Sequence, residues 1–101
     1  MKTIKKTVYP VDPFIDTMFV VAAAIKAART QAGMRIADAA LVAHVSLATM
    51  AAVEAGRPGV SFGKVLQIAD ALGVSLLVVP ACQRNRVRQH LSKLTLGDAA
   101  C

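Results

Sequence analysis

Apolar positions along the chain change their period several times, and each change marks an element. From about Asp16 to Ala32 they recur at helical spacing, and Gly33 is the predicted stop. Asp12-Pro13 offers one N-terminal signal for this first helix and Thr17 a second. A shorter helix is predicted from Ile36 to Ala43, with Ile36, Ala39, Ala40 and Ala43 on one face. The three-residue break "HVS", His44 to Ser46, precedes a third helix, Leu47 to Ala55. Ser46 is its predicted cap, Met50 and Val53 face inward, and Gly56 followed by Pro58-Gly59 ends it. Ser61 is placed to cap a fourth helix, Phe62 to Leu72, whose predicted apolar stripe is Phe62, Val65, Leu66, Ala69 and Leu72, with Gly73 after it.

Beyond Gly73 the period is lost. "VSLLVVP", Val74 to Pro80, is a short, almost wholly apolar, β-branched run and reads as a buried strand. A strand needs a neighbour, either residues 3 to 9 of the same chain or the same run of a second copy. Val74, Leu76, Leu77, Val78 and Val79 are therefore predicted to serve dimerisation. Residues 1 to 15 read as a basic arm or strand, 16 to 80 as the folded domain, and 81 to 101 as a basic tail. In that tail Val87, Leu91 and Leu94 keep helical spacing, and the last residues are expected to be disordered.

Composition sharpens this plan. The 101 residues are 55% hydrophobic but only 4% aromatic, so one core built from Ala, Val, Leu, Ile and Met is expected, and with it a mainly α fold. The net charge of +6 is concentrated at the ends: six basic and two acidic side chains in residues 1 to 35, four and one in residues 82 to 101, against two and three between. Basic ends around a near-neutral middle suit a polyanionic partner. Cys82 and Cys101 lie far apart with no ligand-spaced His or Cys, which predicts neither metal nor disulfide and fits reduced thiols in the cytoplasm. The apolar run Met18 to Ile25 is too short for a bilayer, which needs roughly 18 residues or more, and reads as buried helix rather than a membrane segment. No catalytic triad, carboxylate pair or glycine-rich phosphate loop is present, so no enzymatic activity and no cofactor are expected.

Two short helices joined by a three-residue turn, after a longer helix, match a helix-turn-helix unit in length and spacing. Over about residues 20 to 74 the sequence also resembles the Cro/cI (Xre-type) family. The resemblance is carried by Arg29, Gly33, Ala40, Val45-Ser46, Met50, Val53, "EAGR" at Glu54 to Arg57, and "QIADALGV" at the end of the fourth helix. It implies a lambda-repressor-like bundle of four to five helices, with the short β-strand added for pairing or dimerisation. It also implies an ion pair between Arg29 and Glu54, which a guanidinium and a carboxylate can make through two parallel hydrogen bonds.

The same resemblance implies a homodimeric repressor of double-stranded DNA. Carried over position by position, Leu47, Ala48 and Ala52 would meet base edges, with Ser46 and Thr49 at base or phosphate; phosphate contacts are then expected from Arg35, Arg57, Lys64 and the basic ends. Leu and Ala can touch thymine methyl groups but form no bidentate pair with a base. These apolar base-reading positions are the largest departure from the family, and two more accompany them: His44 stands where Gly is usual in the turn, and Ile36 where a phosphate-binding Gln often opens the second helix. The layout "ALGVSLLVVP" is similar to antitoxins of the Hip and Hig families, which adds a toxin protein as an implied partner. The alternative is a helix-turn-helix scaffold whose apolar third helix binds another protein.

Overall fold

The computed structural model describes residues 3–93, so the expectations for Leu94, Cys101 and the end of the tail lie outside the described residues. Five α-helices follow one another: α1 (Met18–Gln31), α2 (Ile36–Ala43), α3 (Leu47–Glu54), α4 (Phe62–Ala71) and α5 (Arg84–Leu91), the last entered through a short 3-10 turn, Ala81–Gln83. The fold is a helical bundle in which α3 packs against both α1 and α2, and α4 closes over α2.

Local chemistry sets the helix starts. Ser46 Oγ accepts the backbone N–H of Thr49 at 3.0 Å, and Ser61 Oγ accepts that of Lys64 at 3.3 Å, each cap being worth about 1 kcal/mol. At the start of α2 the Asp38 carboxylate accepts the N–H of Arg35 at 3.0 Å. Helix α1 starts after Thr17 and not at Asp12-Pro13. Asp12 Oδ1 accepts the Phe14 N–H at 3.1 Å, as a cap would, but the turn it closes does not continue into a helix.

The core is aliphatic. Ile25, Met50, Val53 and Ile68 are its largest fully buried side chains, each worth roughly 1.5–3 kcal/mol over exposure. Ala39, Ala40 and Ala43 are buried on α2, where small side chains let neighbouring helices approach closely. The stripe expected on α4 is corrected at two positions, since Val65, Ile68 and Ala69 point inward while Phe62 and Leu66 are exposed. Both sets fit a helical period. The buried set is the one facing the carbonyl end of α2, where Gln67 Nε2 donates to the oxygens of Ala43 at 2.7 Å and His44 at 3.2 Å.

No strand forms among the described residues. Val74 closes the end of α4 by donating to the Ala69 carbonyl, and the chain then runs to Pro80 without regular secondary structure. Val74 and Leu76 pack against the core, whereas Leu77 and Val78 are exposed, Val78 by 95%. Residues 3–9 do not pair with this run, because the arm docks on α1. The Thr7 N–H donates to Thr30 Oγ1 at 3.0 Å, and Gln31 Nε2 donates to the Thr7 carbonyl at 2.8 Å. A strand exists only as one side of a ladder, and among the described residues this segment has no second side.

Candidate nucleic-acid interface

The turn between α2 and α3 is made by His44, at φ 58° and ψ 42° in the left-handed region, and the two helices meet with a bend of 112°. A side chain at this φ is strained relative to Gly. The Gln67 bonds to the Ala43 and His44 carbonyls tie the turn from α4.

The far end of α3 is fixed to α1. Arg29 Nε and Nη2 donate to Glu54 Oε2 and Oε1 at 2.5 and 2.9 Å, and Nη1 donates to the Met34 carbonyl at 2.9 Å. Both side chains are largely buried, 12% and 8% exposed. One guanidinium thus connects α1, the α1–α2 turn and α3, which sets the angle at which α3 leaves the bundle. Immediately after Glu54 the chain reverses at Gly56, φ 75°, directly beneath the ring of Phe19.

What α3 shows to solvent is apolar or weakly polar. Leu47 is 53% exposed, Ser46 and Ala48 are exposed, and Thr49 and Ala52 are half-buried. Ser46 Oγ lies 2.9 Å from Thr49 Oγ1 and donates to it, so the Thr49 proton remains for an outside acceptor. The exposed cations around this helix come from different elements: Arg35 before α2, Arg57 just after α3, and Lys64 in the first turn of α4. Arg35 Nε sits 3.8 Å from Asp38, both well exposed. A pair that open is weak, and phosphates can compete for the guanidinium. Arg57 and Lys64 have no ion pair among the described residues.

Residues 20–81 match the family described as a helix-turn-helix domain. The chain belongs to that family. Its helix-turn-helix unit is α2, the His44 turn and α3. The bundle as a whole is shared with solved structures. One, described as MDT Protein, superposes with a TM-score of 0.60 at 22% identity, over 67% of this chain and 96% of its own. Another, a hypothetical transcription factor NHTF from Neisseria, gives 0.57 at 22% identity over 84% of this chain and 97% of its own. At that identity the likeness is one of fold. No curated protein matches the chain.

Sequence reasoning passed over three features of this helix-turn-helix domain. Gln67 lies in a stretch noted only for its family pattern, yet it holds the turn. Phe19 covers Gly56 while remaining 70% exposed, so its hydrophobicity alone pointed to the core. At the other end Asp12 and Phe14 meet α5: Arg88 Nη2 is 3.2 Å from Asp12 Oδ2, and the Arg88 and Arg84 guanidinium carbons stand 4.9 and 5.9 Å from the Phe14 ring centre. No local signal links residues so distant in the chain. Among the described residues no group of three or more metal-ligating side chains comes together, Cys82 is a free exposed thiol, and no single helix is long and apolar enough to cross a membrane.

Proposed function

We propose that the chain is a DNA-binding transcriptional regulator, a homodimeric repressor that lays α3 in the major groove. The observation that carries this is the way α3 is held: pinned at one end by Arg29 to Glu54 and at the other by the His44 turn, with Leu47 and Ala48 turned outward. Rigid presentation of a short helix is what base reading demands. Arg35, Arg57 and Lys64 supply phosphate contacts, Ser46 and Thr49 bond a base edge or phosphate, and Leu47, Ala48 and Ala52 read thymine methyls and groove shape. Each bidentate base contact that such a helix lacks forgoes about 1–3 kcal/mol of discrimination, so affinity rests mainly on phosphates.

Dimerisation through Val74, Leu76, Leu77, Val78 and Val79 is supported by the β-branched, apolar composition of this run and the exposure of Leu77 and Val78, which leave apolar side chains to be covered by a second copy. A cytoplasmic location, Xre-type kinship and an antitoxin role with a toxin partner complete the reading and rest on the sequence pattern. The deciding experiment is fluorescence anisotropy of the protein against its own upstream DNA and unrelated duplexes at low and physiological salt. Preference for the upstream fragment with a steep salt dependence supports a specific self-regulating repressor; salt-independent binding contradicts it.

The second reading, a protein-binding scaffold, draws on the exposure of Leu41 by 77% beside that of Leu47. It predicts that Leu47→Glu abolishes a protein complex while Arg35→Ala and Arg57→Ala leave it intact.

A further inference from the structure

Helix α5 carries two kinds of basic residue on opposite sides. By helical period Arg84, Val87, Arg88 and Leu91 share one side, and Arg86, Gln89 and His90 the other, with Lys93 in the turn that follows the helix. The first side is occupied by the N-terminal arm, through the Asp12 carboxylate and the Phe14 ring on Arg84 and Arg88. The second is exposed throughout, and neither Arg86 nor Lys93 has an ion pair among the described residues. Residues 82 to 93 contain no Asp or Glu at all.

We propose that Arg86, His90 and Lys93 form a second phosphate-contacting surface for double-stranded DNA, separate from α3 and its flanking cations. The inference rests on the DNA-binding reading above and extends the contact beyond the helix-turn-helix unit. A helix of eight residues is marginal by itself in water, and this one concentrates like charge. The arm answers the inner arginines with the carboxylate of Asp12 and the face of Phe14, which fixes the helix and leaves the outer cations for an external anion. Duplex DNA fits this face better than other polyanions. The face carries no Phe, Tyr or Trp, and the imidazole of His90 is the single ring on which an unpaired base could stack, too few for a track of successive bases. On the opposite side Val87 and Leu91 are half-buried and share the helix with Arg84 and Arg88, which leaves no apolar face to anchor it in a lipid interface.

The test uses the full chain carrying Arg86→Gln with Lys93→Gln, titrated against a fluorescent mixed-sequence duplex over a range of salt concentrations, with Arg57→Gln and single-stranded polyuridine as comparisons. Both positions are exposed, and circular dichroism checks that helicity is kept. The expected result is a slope of log K against log salt shallower by about 1.8, two phosphate contacts at about 0.9 each. If the slope is unchanged while Arg57→Gln lowers it, the α5 surface is refuted and the DNA reading stands. If the wild-type chain shows no salt-dependent duplex binding, the DNA reading fails and takes the surface with it. Loss of polyuridine binding with an unchanged duplex slope overturns the proposal in favour of single-stranded RNA.

Discussion

The ring of Phe19 lies so close over Gly56 that a Cβ at position 56 would stand 2.7 Å from its Cδ1 and 2.9 Å from its Cε1. Gly56 also sits at φ 75°, where a Cβ costs about 1–2 kcal/mol by itself. Gly56→Ala should therefore lower stability by somewhat more than that amount in urea denaturation. Adding Phe19→Ala should recover the steric part and leave the backbone part. Equal losses in the two backgrounds would show that the ring moves aside freely.

Arg29 and Glu54 yield the largest expected loss. Their bidentate pair is nearly buried, and removing one partner strands the other charge. Glu54→Ala should cost about 3–5 kcal/mol and expose Arg29 and the Met34 carbonyl to rearrangement. A change below about 1 kcal/mol, the range of exposed pairs, would mean that water screens the site.

How much of this was legible in the sequence depends on the range of the interaction. Helix α2 was readable from end to end because its limits are local: alanine spacing inside, the Gly33 stop of the first helix before it and the HVS break after it. On α4 two stripes compete within one period, and the choice between Leu66 and Ile68 is made by α2, which lies elsewhere in the sequence. The strand signal of Val74 to Val79 reflects side-chain preference alone, and preference does not supply a ladder. The contact of Asp12 and Phe14 with α5 was out of reach for the same reason.

His44 gives a prediction of opposite sign. Since its φ of 58° suits Gly, His44→Gly should raise stability, by up to about 1 kcal/mol after allowing for the greater freedom of glycine in the unfolded chain. Thermal melts at one pH are sufficient. A lower melting temperature would assign the imidazole a packing role that outweighs the strain.

On DNA, Arg57 and Thr49 should behave differently. Arg57→Ala is expected to weaken binding to all duplexes alike and reduce the salt slope by about 0.9, one phosphate contact. Thr49→Val is expected to change which sequence is preferred with little effect on that slope. Competition binding against a pool of duplexes separates the two, and a shared pattern would remove Thr49 from the reading face.

Asp12 should titrate below the usual carboxylate range. The main cause is the N–H of Phe14 donating to its carboxylate, opposed by some loss of hydration and reinforced by the hydrogen bond and charge of Arg88 and the charge of Arg84. A depressed value means that the stabilisation Asp12 gives, to the Phe14 turn first and to Arg88 after it, is fully present above the unfolded-chain pKa of about 3.9 and is lost as pH falls through the folded value, while the Phe14 ring stays on Arg84 and Arg88. NMR titration of the Asp12 carboxyl should show this, and Arg88→Gln should bring the midpoint part of the way back. An unmoved midpoint would leave the Phe14 turn as the sole cause.

The docked arm also determines what the protein reports about itself. There is no Trp, and the one Tyr is Tyr9, placed between the Thr7 anchor on α1 and the Asp12 contact with α5. Tyrosine emission therefore comes from the strap and not from the aliphatic interior. Its change on heating or on adding salt records the strap leaving its two moorings, while the far-ultraviolet signal records the bundle, and the difference between the two curves measures how independently the strap lets go.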